Sequence, residues 1–215
     1  MDRAAPAQGL IPVDVPDDLE VALNEATVAG LRVTGDEVRL LLHVLALPAE
    51  GMPDPDTRRA LVFAPVSRVR VLLRRDEPGE VDYGPAVPLA DLAAVADFFA
   101  SLTRTGDLYG WEFVDAPDLV ADWPPEVSLD LKLGEPTAGT HTLYWFNECG
   151  AGADQFCIEG QIEFEDVSVE RADGTPMPMP DFIADGRRWW KAFSTNDPRV
   201  THTAQRARPP SPPWH

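Results

Sequence analysis

Apolar and polar residues alternate most regularly between residues 142 and 170, and this alternation predicts a β-hairpin with two unlike faces. In its second half the apolar residues occupy even positions, at Phe156, Ile158, Ile162 and Phe164. Polar residues occupy the odd positions, at Glu159, Gln161, Glu163 and Glu165. Successive side chains of a strand point to opposite faces of a sheet. One face is therefore expected in the core, and the other is expected to present carboxylates to water or to a partner.

The remaining pattern predicts further strands and two helices. Strands are expected at residues 28–33, 38–47, 61–73, 108–114 and 127–133, with an interruption at Pro65 because proline cannot donate to a sheet ladder. Apolar residues recur at helical spacing over residues 88–102 and 180–193. The pattern predicts an α+β fold, with a mainly antiparallel sheet system of about eight strands and two helices.

Two segments repeat one another. Residues 61–67 and 162–168 share the spacing of an apolar residue, a phenylalanine, a valine and a serine, and both shift the alternation by one residue after the phenylalanine. A duplicated β-meander with a bulge in each copy explains the similarity. Chance explains it as well, because few positions match.

Composition divides the chain into one domain and two tails. Residues 1–18 are rich in proline and aspartate, which predicts a flexible N-terminal arm. Residues 19–193 carry the periodic pattern and are expected to form a single α+β domain. Residues 194–215 are polar and proline-rich, which predicts a disordered tail.

Charge restricts the choice of partner. The 215 residues include 18 Lys and Arg against 36 Asp and Glu, a formal net charge of −18. Such a chain repels phosphate backbones and anionic lipids, so neither nucleic acid nor a membrane is an expected partner. A basic protein is the natural counterpart, although solubility alone also accounts for an acidic composition.

The N-terminal sequence and the number of cysteines predict the cellular compartment. The first twenty residues contain Asp2 and Asp14 and no basic start followed by an apolar run, so no secretory signal is expected. The apolar run at residues 40–47 is too short to span a bilayer. Two cysteines fit a reducing compartment. The prediction is a cytoplasmic protein.

One group of residues is a candidate metal site or enzyme centre. His141, Cys149 and Cys157 are separated by seven residues each, and the glycine-rich stretch 150–153 would bring the two cysteines onto neighbouring strands. Two separate buried thiols are the competing interpretation. No nucleophile elbow, phosphate-binding loop or dinucleotide motif occurs, and no cofactor is predicted. An enzyme that uses carboxylates stays open as an alternative.

The second predicted helix supplies a third kind of candidate surface. Trp189 and Trp190 lie on or near its apolar stripe. They are expected either in the core or in a contact with a partner, including a second copy of the chain. A self-associating structural module is therefore a further alternative, and the sequence does not determine the oligomeric state.

Two resemblances bear on function. The run from Phe156 to Phe193, with Phe-Cys-Ile-Glu-Gly-Gln-Ile-Glu-Phe and later Arg-Arg-Trp-Trp-Lys, resembles the C-terminal part of small uncharacterised actinobacterial proteins. The N-terminal meander, with Leu-Val-Phe-Ala-Pro-Val-Ser-Arg-Val at residues 61–69, is similar to mostly-β immunity proteins of bacterial polymorphic toxin systems. The acidic charge, the one-sided acidic strand and the absence of a catalytic motif predict a non-enzymatic protein that docks a basic protein through Glu159, Glu163 and Glu165. The second resemblance implies that such a protein is an immunity-type inhibitor. Neither family supplies a functional residue.

Overall fold

The computed structural model describes residues 15–76, 83–113 and 126–200. Its helices are α1 (Val15–Leu23), α2 (Leu92–Ser101) and α3 (Met179–Ser194), followed by a 3-10 turn at Pro198–Val200. Its strands are β1 (Thr27–Thr34), β2 (Glu37–His43), β3 (Arg58–Phe63), β4 (Val66–Asp76), β5 (Arg104–Phe113), β6 (Leu129–Lys132), β7 (His141–Ala151), β8 (Asp154–Phe164), β9 (Val167–Arg171) and β10 (Pro176–Met177). The predicted α+β, mainly antiparallel fold is confirmed. The described residues form ten strands and three α-helices where about eight strands and two helices were expected.

The strands form two five-stranded sheets. Sheet A has the order β1-β2-β3-β9-β10, and sheet B has the order β5-β7-β8-β4-β6. Every named pair is antiparallel. Apolar faces of both sheets enclose one core, to which α1, α2 and α3 contribute side chains.

The two sheets are joined at a corner where two chain segments cross side by side. β3 continues into β4, and β8 continues into β9, so each segment leaves one sheet and enters the other. At the crossing the Ala64 amide donates to the Asp166 carbonyl at 3.0 Å, and the Glu165 amide donates to the Pro65 carbonyl at 3.1 Å. The segments that repeat one another in the sequence are these two crossing strands.

The strand order has an internal symmetry that matches this repeat. In the first half β1, β2 and β3 form a meander in sheet A, and β4 passes into sheet B. In the second half β5, β7 and β8 are neighbours in sheet B, and β9 passes into sheet A. A duplicated meander would give this arrangement, and a common origin of the two halves stays a prediction.

The core of sheet B depends on one glycine. Trp145 of β7 lies opposite Gly160 of β8, and both are on the core face between Ile158 and Ile162. A Cβ atom built at Gly160 would overlap the indole ring of Trp145. The absence of a side chain at Gly160 is therefore what lets the indole of Trp145 pack directly on the sheet.

Helix α1 lies partly within residues 1–18, for which the composition predicts a flexible arm. The helix begins at Val15, and Leu19 and Leu23 are fully buried. It crosses α3 closely, since a Cβ at Gly186 would lie 2.6 Å from the Cα of Ala22. Sequence composition missed the helix because tertiary packing, rather than local pattern, stabilises so short an element. Residues 1–14 lie outside the described part of the chain.

Helix α2 begins later than its apolar pattern suggests. The pattern predicts a start at residue 88, whereas the first helical residue is Leu92. Asp91 precedes it, and its side chain accepts a hydrogen bond from the Ala94 amide at 2.9 Å. The N-cap carboxylate therefore sets the boundary. Upstream, the Leu89 amide donates to the Ser128 carbonyl instead of continuing a helix.

The ordered domain extends beyond the predicted boundary at residue 193. After α3 the chain makes the 3-10 turn at Pro198–Val200, and Val200 is only 5% exposed. It packs with Leu47 and Trp189 in a small cluster next to the main core. The predicted start of the tail at residue 194 is thus at least seven residues too early, and residues 201–215 lie outside the described part.

Candidate functional site

The outer face of sheet B, which points away from the core, carries the glutamates that were predicted to form an acidic surface. β4 pairs with β8, and the register sets Arg68 opposite Glu163 and Leu72 opposite Glu159. Paired residues of neighbouring strands point to the same face. The arginines of β4 therefore lie beside the glutamates of β8, and the face is a mixed layer of both charges.

Glu159 is the centre of a buried polar cluster and is only 7% exposed. Its carboxylate forms an ion pair with Arg74 and accepts a hydrogen bond from the Tyr144 hydroxyl at 2.9 Å. Burial, followed by the neighbouring carboxylate, raises the pKa of Tyr144. Burial also raises the pKa of the Cys157 thiol to about 11. Glu159 was predicted as an exposed docking residue, and its burial corrects that prediction.

Glu163 is also held by its neighbours. Its side chain is 14% exposed and lies 3.5 Å from the guanidinium of Arg70. The Ser67 hydroxyl donates to the same carboxylate at 3.4 Å. Glu165, by contrast, is exposed and accepts a hydrogen bond from the Thr137 hydroxyl at 2.8 Å. Of the three predicted docking glutamates, only Glu165 has an exposed carboxylate.

Glu165 belongs to a group of acidic residues at the corner between the sheets. We call this group the acidic corner, and it consists of Asp36, Glu135, Glu165 and Asp166. Backbone bonds hold it together. The Val66 amide donates to the Asp36 carbonyl at 2.7 Å, and the Gly134 amide, next to Glu135, donates to the Ser67 carbonyl at 3.0 Å. In each of these bonds one partner, Val66 or Ser67, lies within two residues of the crossing at Pro65.

Three of the four residues of the acidic corner are exposed to solvent. Asp36, Glu135 and Glu165 are exposed. Asp166 is half-buried and uses its carboxylate to accept a hydrogen bond from the Val167 amide at 2.8 Å. Within residues 15–76, 83–113 and 126–200, none of the four forms an ion pair with a basic side chain.

Most arginines of the described chain are occupied by internal ion pairs. Ten of them lie within 4 Å of a carboxylate: Arg39, Arg58, Arg59, Arg68, Arg70, Arg74, Arg75, Arg187, Arg188 and Arg199. Their partners are thereby compensated locally. The excess negative charge consequently resides on exposed acids such as those of the acidic corner.

The proposed metal constellation is not assembled. Cys149 points into the core, whereas Cys157 lies opposite Glu148 on the outer face, so the two thiols are on opposite sides of sheet B. His141 is eight residues from Cys149 along β7, about 26 Å at about 3.3 Å per residue. Within the described ranges no group of three or more His, Cys, Asp or Glu is arranged to hold a metal ion. The competing interpretation, two separate buried thiols, is the one that the structure shows, because alternation along the strands places the two cysteines on opposite faces.

The tryptophans of α3 are mostly internal. Trp189 is 4% exposed and packs against Leu47 and Val200. Trp190 is half-buried beside it, with the two rings 4.8 Å apart at their centroids. Phe193 stacks on Trp189 at 5.3 Å and is the exposed aromatic residue here, at 39%. Trp189 is therefore a core residue, and it is not available at the centre of a self-association surface.

Sequence patterns missed three members of the acidic corner: Asp36, Glu135 and Asp166. Asp36 lies in the turn between β1 and β2, and Glu135 follows β6, so they are about a hundred residues apart. Nothing in the sequence links them. The arginines on the outer face were visible as an alternation of Arg68 and Arg70 with valines, and that signal already indicated a charged face for β4.

Comparison with known proteins adds no relative. No protein family, no curated protein and no solved structure matches this chain. Among the described residues, no helix has both the length and the apolar composition needed to cross a membrane. Function is therefore inferred from the residues themselves.

Proposed function

We propose that this chain is a cytoplasmic, non-enzymatic acidic protein that binds a basic protein, in the manner of an immunity-type inhibitor, through its acidic corner. The observation that carries the proposal is the separation of charge. Ten arginines pair internally, whereas the carboxylates of Asp36, Glu135 and Glu165 are exposed and unpaired within the described chain. A surface of one sign, with its own counter-charges engaged elsewhere, attracts a surface of the opposite sign.

The rigidity of the site supports the same function. The corner residues lie next to backbone hydrogen bonds around the crossing at Pro65, and these bonds connect the backbone segments that carry the carboxylates. A preorganised surface loses less conformational entropy on binding than a mobile one. Glu165 carries over from the original docking prediction, and Asp36, Glu135 and Asp166 replace Glu159 and Glu163.

The alternative functions have less support. An enzyme or metal protein based on His141, Cys149 and Cys157 would need side chains that lie on opposite faces of sheet B. A carboxylate enzyme based on Glu159 or Glu163 would have to use groups that arginines already neutralise. The buried position of Trp189 removes the main argument for self-association.

Capture from the lysate of the host organism tests the proposal. The tagged protein is immobilised, and bound proteins are identified by mass spectrometry at about 0.05 M and about 0.5 M salt, because screening weakens contacts between surface charges. We expect one stoichiometric basic protein whose capture falls at the higher salt. The corner variant, with Asp36, Glu135 and Glu165 changed to lysine, should lose that protein.

A matched control distinguishes the corner from net charge. Glu50, Asp97 and Glu126 are exposed acids outside the acidic corner, and changing them to lysine alters the net charge equally. The control variant should retain the partner. Equal capture by the corner variant and the native protein would refute the assignment of the surface.

A further inference from the structure

The interior of sheet B contains two polar groups that the surrounding protein does not satisfy. Asn147 is fully buried on the core face of β7, and neither its side-chain nitrogen nor its oxygen has a hydrogen-bond partner within the described residues. Trp145, two residues earlier on the same face, is also fully buried, and its Nε1 has no partner there either. Two neighbouring positions on one face of β7 thus offer donors and an acceptor within the core.

The environment of these groups is apolar. Asn147 lies opposite Ile158 of β8, and Trp145 lies on Gly160 with the ring of Phe99 centred 6.4 Å away. A buried amide left unpaired costs about 1–3 kcal/mol, so such groups are nearly always satisfied in native proteins. Reversing the amide of Asn147 does not help, because both of its polar atoms lack a partner.

The chemistry of the two side chains defines the missing partner. The amide nitrogen of Asn147 and Nε1 of Trp145 donate, and the amide oxygen of Asn147 accepts. The partner must therefore both accept and donate hydrogen bonds. It must also be neutral, because an uncompensated charge in this core would carry a large desolvation cost. The tight packing of Trp145 on Gly160 further requires a small molecule.

We propose that an ordered water molecule is bound inside sheet B by the side chain of Asn147, with the indole N–H of Trp145 as a second donor. Buried waters in proteins typically make about three hydrogen bonds to polar groups that would otherwise be unsatisfied. The water makes Asn147 compatible with a core position in the middle of a central strand. It is independent of the acidic corner, which lies on the exterior.

A high-resolution crystal structure of the native protein tests the site directly. We expect density for one water at about 2.7–3.2 Å from the Asn147 amide. In crystals of Asn147→Leu, which removes donor and acceptor at similar volume, that density should be absent. An Asn147 amide bonded directly to another protein group, with no water beside it, would overturn the proposal.

A measurement in solution tests the second donor. The indole signal of Trp145 is identified as the one missing from the spectrum of Trp145→Phe, and its cross-relaxation with water is recorded by NMR. We expect a long-lived water contact at this N–H, reduced in Asn147→Leu. A Trp145 indole without any water contact would refute its part in the site, and the crystal structures decide the remainder even if Trp145→Phe fails to fold.

Discussion

At the level of single residues, the neighbours of Glu159 change its role from a surface carboxylate to the centre of a buried cluster. Arg74 and Tyr144 occupy its two oxygens, and Cys157 lies beside Arg74 on the same face. Burial, followed by the charge of Glu159, raises the pKa of Tyr144 and of Cys157 and so favours their protonated forms. Alternation along β8 predicts the face of each residue and says nothing about these partners.

The raised pKa of Cys157 predicts a loss of stability at alkaline pH. The pKa of the thiol is about 8.5 in the unfolded chain, whereas burial raises the pKa of Cys157 to about 11 in the folded protein. Between these values the unfolded state binds fewer protons, so the free energy of unfolding falls as pH rises. Urea titrations of the native protein and Cys157→Ala from about pH 8 to about pH 10.5 should show the steeper fall in the native protein. Parallel curves would contradict the assignment.

Even the smallest side chain at position 160 is expected to destabilise the protein. The variant Gly160→Ala places a methyl group where the Trp145 indole lies, and we expect the free energy of unfolding to fall by about 1–3 kcal/mol. Gly134→Ala is the control, because its nearest neighbour would lie 3.8 Å away. Equal stability of the two variants in urea denaturation would show that Trp145 does not depend on Gly160.

At the level of elements, the local sequence pattern predicts which strands and helices form better than it predicts which strands pair. The hairpin of β7 and β8, the strand β4 and the helix α3 follow from alternation and helical spacing. The pairing of β4 with β8 does not, because a strand of alternating valine and arginine fits any neighbour with a matching apolar face. Helix α1 was missed for a related reason, since its stability comes from α3 and the core.

The crossing of α1 and α3 gives a prediction with a definite sign. Alanine stabilises an unconstrained helix interior by about 1 kcal/mol relative to glycine. At Gly186 the new methyl would approach the backbone of Ala22 within 2.6 Å, so Gly186→Ala should instead destabilise the protein. Chemical denaturation measures the sign, and limited proteolysis should show earlier cleavage in α1. A gain in stability would mean that the helices do not cross closely at this position.

At the level of the whole molecule, the sequence predicts the fold class and the excess of acid, and it does not predict where the acid is exposed. The net charge of −18 is a property of composition. The location of the exposed negative charge depends on which carboxylates form ion pairs with arginines. The pairing of β4 with β8 determines those ion pairs, and the fold at Pro65 brings Asp36 and Glu135 to the same corner. Residues distant in sequence form the site, so no local motif marks it.

A substitution at one buried residue beyond the predicted boundary tests how far the ordered domain extends. Val200→Ala removes buried methyl groups that pack with Leu47 and Trp189, and we expect a loss of about 1.5 kcal/mol in the free energy of unfolding. Val21→Ala makes the same change at a residue that is 39% exposed, and it should cost less than about 0.5 kcal/mol. Equal effects would place Val200 outside the domain.

Binding through the acidic corner is tested most directly by titrating the captured basic partner, once purified, against three proteins in a calorimeter. These are the native chain, the corner variant with lysine at Asp36, Glu135 and Glu165, and the control variant with lysine at Glu50, Asp97 and Glu126. We predict that the corner variant loses affinity about tenfold or more, while the control changes less than about threefold. Equal losses in both variants would show that net charge, rather than the corner, attracts the partner, and no loss in either would contradict the account.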